Sequence, residues 1–182
     1  GWLIGIYDPS DVELAVSSRL GIVGQNVSTL IRNNGGLVGI NGGGFEDLDG
    51  WGNGSIPYGA IIQDGKLVWN HSGGSGGLIG FTNEHKMWLT DKSPEEAISM
   101  GMVDAVDFGP NLIVNGKTAK IHGDGGWGIA PRSVIAQRKD GVVLFLVVDG
   151  QNYVFGASLK DMIKKIKKYG AYNAANLDGG TS

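Results

Sequence analysis

The sequence predicts an α+β fold: a mixed, mainly antiparallel β core with about three helices on its outside, in a single domain over residues 1–182. Three observations carry this reading. Short β-type runs outnumber helical ones. Three tight-hairpin dipeptides, Asp64-Gly65, Asn115-Gly116 and Asp140-Gly141, join neighbouring runs. Few stretches carry helix start and stop signals, so strand–helix–strand units are too scarce for a doubly wound parallel sheet.

In chain order, residues 3–7 and 12–17 read as strands. A short helix over 27–33 is closed by Gly35. Strands over 60–63 and 66–69 flank the Asp64-Gly65 turn, and 78–81 and 86–90 follow. Ser93-Pro94-Glu95-Glu96 is a capping box with proline at the first helical position, and that helix ends at Gly101. An apolar run over 103–108 precedes strands at 112–114, 133–138 and 142–149. Residues 142–148 are apolar almost throughout, which predicts a central strand buried on both faces. Ser158 opens the last helix. Its apolar stripe is Leu159, Met162, Ile163, Ile166 and Tyr169, five lysines fill the other face, and Gly170 stops it. Without interleaved aromatics, the lysines read as a solvated face, not a nucleic-acid patch. A last apolar run covers 174–177.

Composition narrows the function. Hydrophobic residues make up 41% and charged residues 18%, so the chain is globular. A net charge of -3 argues against a broad phosphate-backbone binder. No apolar run reaches the roughly 18 residues that a membrane helix needs. There is no cysteine, which excludes disulfides and thiolate metal sites. The chain starts almost inside a strand-like run and stops on a glycine turn. It reads as a domain excised from a longer protein, with its targeting segment elsewhere and its C-terminus truncated. Glycine is the anomaly, at 33 residues against a usual share of about 7%. It clusters at 35–59, 73–80, 123–128 and 179–180, between strand-like runs, where loops bring backbone close to something.

Several motif matches fail on context. Gly73-Gly74-Ser75-Gly76-Gly77 satisfies a hydrolase elbow, but a low-complexity loop precedes it and a strand follows. Gly116-Lys117-Thr118 imitates the end of a P-loop without its first glycine. In the Asp47-Leu48-Asp49-Gly50 calcium-like loop, the bidentate glutamate position falls on Tyr58. His71, His85 and His122 are far apart and form no i,i+4 pair, so no metal site is expected.

What remains is a set of polar residues at the ends of apolar runs. Asn41 is followed by Gly42, Gly43, Gly44, Phe45 and Glu46. Asp107 precedes Gly109-Pro110-Asn111, Arg132 follows Pro131, and Asp149 precedes Gly150. Asn176 and Asp178 lead into Gly179, Gly180, Thr181 and Ser182. A carboxylate ending a buried strand is costly unless it is hydrogen-bonded or binds a ligand. Several such groups in one domain fit the floor of a pocket, and a planar guanidinium there suits a phosphate or carboxylate.

Six blocks in order carry a resemblance: Gly39-Ile40-Asn41-Gly42-Gly43-Gly44-Phe45, Pro57-Tyr58-Gly59, the stretch from Phe108 to Gly116, Pro131-Arg132-Ser133-Val134-Ile135-Ala136, Val147-Val148-Asp149-Gly150 and Asn176-Leu177-Asp178-Gly179-Gly180. Together the chain resembles the phosphodiester glycosidase family, with its uncovering-enzyme and bacterial exopolysaccharide-related branches. Ser133 stands where that family often has threonine, a change that keeps the hydroxyl. The resemblance implies a hydrolase that cleaves a sugar-1-phosphodiester at the anomeric C–O bond, in the cell envelope or outside the cell, with no cofactor. Asp149 and Asp178 are the carboxylate candidates and Glu46 an alternative base. Asn41, Gly43, Gly44, Asp107, Arg132, Asn176, Gly179, Gly180, Thr181 and Ser182 are the candidates for binding sugar and phosphate. Two other readings share the pocket: a non-catalytic module binding anionic glycans, and a phosphodiesterase cleaving P–O. The partner in each is a glycan or a sugar phosphodiester, not a nucleic acid or a membrane.

Overall fold

The computed structural model describes residues 1–47, 50, 52–74, 76–123, 125, 128–150 and 156–179. The elements, in chain order, are β1 (Trp2–Ile6), α1 (Val27–Asn33), β2 (Gly59–Gln63), β3 (Lys66–His71), β4 (Leu78–Thr82), β5 (Met87–Thr90), α2 (Pro94–Ser99), β6 (Met102–Asp107), β7 (Asn111–Val114), β8 (Lys117–Thr118), β9 (Arg132–Arg138), β10 (Val143–Val148), α3 (Leu159–Lys168) and β11 (Ala171–Leu177). The three hairpin dipeptides join β2 to β3, β7 to β8 and β9 to β10. Asp64 and Asn115 adopt φ of 51° and 50°, and the glycine after each is also positive, as a two-residue turn matched to strand twist requires.

The strands form two sheets. One has six strands in the order β1-β10-β9-β11-β7-β8, and the other five in the order β3-β2-β6-β4-β5. Every pairing among the described strands is antiparallel. The α+β fold expected from the sequence is therefore the fold observed. Burial follows residue alternation. In β10, Leu144 and Leu146 join the core under α3, while Val143 and Phe145 face the second sheet. The inter-sheet core adds Ile79, Phe81 and Met87 from β4 and β5 and Ile135, Ala175 and Leu177 from β9 and β11. A third core sets Ala97 of α2 against Ala60, Ile62, Leu78, Met102 and Ala105. The layers thus run α3, six strands, five strands, α2.

The helices begin where the caps placed them. The Ser93 and Ser158 hydroxyls each accept from the third helical N–H, and the side chains of Glu96 and Asp161 return to the cap N–H. Leu159, Met162, Ile163 and Ile166 are buried, whereas Tyr169 is the cap residue and is exposed. Residues 12–17 differ from expectation. They are mostly half-buried but join no ladder; the Leu14 carbonyl accepts instead from the Gln63 side chain at 2.8 Å. Alternation reports burial on one side, and a strand also needs a partner.

Asp104 in β6 gives the fold a pH dependence. Burial raises its pKa above the ordinary 3.8, and Asp64 and Glu13 add to this against N–H donors from Asp64 and Leu14. The folded chain then holds this proton more tightly than the unfolded one. Its contribution is most favourable below pH 3.8 and is lost as pH rises toward the folded pKa. Asp104→Asn is expected to raise the melting temperature at neutral pH, with the gain vanishing in melts run below pH 3.8.

Candidate active site

The polar residues singled out from the sequence lie at one end of the two-sheet sandwich. There β6, β10 and β11 finish and β2, β4, β7 and β9 begin. Leu78 pairs with Asp107, Val148 with Arg132, Leu177 with Ser133 and Ala175 with Asn111. Antiparallel pairing places these chain-distant groups together, because one strand's end sits beside the next strand's start.

The segment from Asn41 to Glu46 crosses this end from one sheet to the other. Asn41 Nδ2 donates to the Asp178 carbonyl at 3.1 Å, and the Asp178 N–H donates to the Gly42 carbonyl at 3.0 Å. These two bonds tie the segment to the end of β11. Gly43 then lies over the end of β6; a Cβ there would sit 2.9 Å from the Asp107 carbonyl oxygen. Gly44 packs against Phe108 and accepts from the Tyr58 N–H at 2.9 Å, and the Glu46 N–H reaches the Ile56 carbonyl at 2.8 Å. Asn41, Gly43, Gly44, Asp107 and Asp178 are therefore one connected floor.

Glycines box in the Asp107 carboxylate. The Gly76 N–H donates to its Oδ1 at 3.2 Å. Gly59, at φ of 66°, would place a Cβ 2.5 Å from the carboxylate, and Gly74 would place one 2.1 Å from Oδ2. The 73–77 glycines thus let backbone approach a carboxylate from two sides. Gly74→Ala is expected to cost about 1–3 kcal/mol by overpacking and to shift Asp107. Gly36→Ala is the control, since its Cβ meets Ile31 at an ordinary 3.6 Å. Thermal unfolding of both variants checks this.

Two clefts flank the floor. One, of about 320 Å³, is lined by Asp107, Asn70, His71, Ser72, Asp91 and Lys92, among others. Glu46 stands beside it, with Oε1 3.9 Å from His71 Nδ1. That nitrogen lies 2.8 Å from the Ser72 carbonyl, which requires it to carry a proton, and the ring stacks on Trp69. The other, of about 440 Å³, is lined by Gly76, Gly109, Pro110, Lys120, Ile121 and His122 together with Gly125.

Two candidate residues lie beneath the surface. Asn176 is 1% exposed; its Nδ2 donates to the Gly109 carbonyl and its N–H to that of Pro110. Arg132 is 3% exposed; Nε donates to Ala157 at 3.1 Å and an Nη2 hydrogen to Gly128 at 2.8 Å, both backbone carbonyls. Gly179 passes directly over it, since a Cβ there would meet the Pro131 carbonyl oxygen at 2.4 Å and Arg132 Cα at 3.0 Å. Both side chains hydrogen-bond to backbone carbonyls of neighbouring segments. Asp149 reaches the same sheet end one residue beyond Val148, but its side chain is 60% exposed and 3.6 Å from the Gly1 amino group. Gly180, Thr181 and Ser182, and the discounted Ser75, lie outside the described residues.

Among the described residues, no group of three or more His, Asp or Glu is arranged to hold a metal. No described helix is long and apolar enough to cross a membrane. Tyr58, His71 and Lys120, not among the site candidates of the sequence, lie at this end of the domain. The Pro57-Tyr58-Gly59 block was the available signal for Tyr58. For a lone histidine and a lone lysine, only the paired strands show what they face.

The domain is thus two stacked antiparallel sheets with a glycine-enclosed carboxylate, Asp107, at one end. The chain belongs to the phosphodiester glycosidase family, whose family model matches residues 34–182. Among solved structures it is similar to the catalytic domain of zebrafish N-acetylglucosamine-1-phosphodiester alpha-N-acetylglucosaminidase, auto-inhibited by its pro-peptide. The identity is 26% and the TM-score 0.61, over 77% of this chain and 50% of that one. A hypothetical protein from Synechocystis shares the fold at 15% identity and a TM-score of 0.50, over 98% of this chain and 51% of that one. The chain spans about half the length of either structure. No curated protein sequence matches it.

Proposed function

We propose that this domain hydrolyses a sugar-1-phosphodiester at the anomeric C–O bond, releasing free sugar and a phosphomonoester, on glycan of the cell envelope or outside the cell. One observation carries the reading: the Asn41–Gly44 segment joins the ends of β11 and β6, so Asp178 and the glycine-boxed Asp107 share one floor. Family membership supplies the reaction class.

The chemistry suits a site with few acids. The second ionisation of a phosphomonoester lies near pH 6, about, so it leaves with less protonation than an alcohol does. Asp178 acts at the anomeric carbon as nucleophile or base. Asp107, held by the Gly76 N–H, accepts from sugar hydroxyls. Glycine amides of the floor hold the phosphate, and Gly180, Thr181 and Ser182 are the further candidates for it. Arg132 and Asn176 position that surface from beneath. Glu46, beside His71, is the alternative base, and Asp149 the outer carboxylate.

The test is incubation with a sugar-1-phosphodiester, following reducing sugar and phosphomonoester together. Equal release of both is the expected result. No turnover, with retained binding of anionic glycan, would favour a binding module instead.

A further inference from the structure

We propose that a lysine track on α3 and β8 binds a polyanionic phosphodiester polymer and delivers it to the cleft beside the floor. Its functional meaning rests on the glycosidase reading; its binding does not. Charge is divided along this chain. Residues 1–116 hold five Lys and Arg against thirteen Asp and Glu, whereas 117–182 hold ten against five, so the basic residues are concentrated in the last third of the sequence.

That stretch has a direction. Ala157, whose carbonyl accepts from Arg132, sits at the site end of the six-stranded sheet, and α3 runs away from it before β11 returns. Lys160, Lys164 and Lys168 are exposed and recur every fourth residue, a row of about 12 Å. Lys164 and Lys167 share a face at i,i+3. Lys167 Nζ reaches Thr118 Oγ1 at 3.4 Å, which joins the helix row to the β8 edge, where Lys117 is the preceding residue on the other face. Three residues further, within about 10 Å of chain, Lys120 lines the cleft that also contains Gly76, the donor to Asp107. Thr118 thus links the helix row to the segment that carries Lys120 into the cleft. The one acid on α3, Asp161, is tied to Ser158 in the capping box and does not interrupt it.

The occupant follows from the other face of the helix. Leu159, Met162, Ile163 and Ile166 are all buried in the core, so α3 has no apolar stripe for a bilayer. Spaced ammonium groups with no apolar surface suit a flexible chain of repeated phosphates, bound through counterion release.

The experiment compares wild type with the combined Lys164→Gln, Lys167→Gln, Lys168→Gln variant. Glutamine keeps helix propensity, so α3 should persist. The probes are synthetic poly(glycerol phosphate), phosphatidylglycerol vesicles and a small soluble sugar-1-phosphodiester. Polymer affinity of the wild type should fall between about 50 and 200 mM salt, and the variant should bind on the order of tenfold more weakly with a shallower salt slope. Turnover of the small diester should be the same in both proteins. Equal polymer binding by variant and wild type would overturn the track, as would binding to the vesicles alone. Lysine-dependent polymer binding without turnover of any diester would sustain the track and sink the proposed reaction.

Discussion

Arg132→Ala is expected to lower the melting temperature by roughly 5–15 °C and to abolish turnover. The guanidinium is buried, and its Nε and Nη2 hydrogens satisfy two carbonyls 29 residues apart in sequence, those of Gly128 and Ala157. Removing it takes one donor from each carbonyl, leaving Ala157 only the longer bond from the Ala130 N–H at 3.4 Å, and leaves space behind, a loss of about 1–3 kcal/mol or more. Arg132→Lys separates support from chemistry. One ammonium cannot reproduce the planar fork, so part of the stability loss should remain. Turnover should fall roughly a hundredfold or more, because the floor and phosphate amides above it would shift. Unfolding and turnover are read on the same proteins. Wild-type melting and wild-type turnover in Arg132→Lys would contradict both roles.

The second large effect is at Asp178. Asp178→Asn should lose roughly 10²–10⁴-fold in turnover, the range for removing a positioned acid or base. The bonds joining this residue to Asn41 and Gly42 are made by its backbone carbonyl and N–H, and asparagine keeps the side chain's shape, so both bonds persist in the variant. The expected signature is therefore a lost rate with a melting temperature within a few degrees of wild type. Asp149→Asn and Glu46→Gln, assayed beside it, sort the remaining carboxylates. A larger loss in either than in Asp178→Asn would move the reacting group to that residue.

Much of this arrangement was legible in the sequence, for identifiable reasons. Asp-Gly and Asn-Gly fix short turns by local backbone chemistry, so the three hairpins and hence much of the antiparallel order could be read directly. Caps at Ser93 and Ser158 are equally local. The apolar run ending at Val148 showed burial on both faces because no polar residue interrupts it. Polar groups beside glycine at strand ends could be read as a set, since antiparallel ladders bring such ends together.

What was not legible depends on contacts between distant segments. Whether Arg132 points at a ligand or into the protein depends on where Gly128 and Ala157 lie, and nothing in Pro131-Arg132-Ser133 shows that. Asn176 follows the same logic, since its partner is the Gly109 carbonyl across β7. The 73–77 glycines resembled low-complexity turn sequence, and their close approach to Asp107 appears only once β4 pairs with β6. His71 looked isolated because Glu46 lies on a separate loop. The α3 lysines read correctly as an exposed face, but their link through Thr118 to the segment carrying Lys120 requires the β8 edge to be placed.

The central claim is attack at the anomeric carbon, and hydrolysis of a sugar-1-phosphodiester in oxygen-18 water tests it most directly. Mass analysis of the two products locates the label. Cleavage of the C–O bond places oxygen-18 on the released sugar and leaves the phosphomonoester unlabelled. Label in the phosphomonoester, with unlabelled sugar, would mean P–O cleavage and would contradict the account.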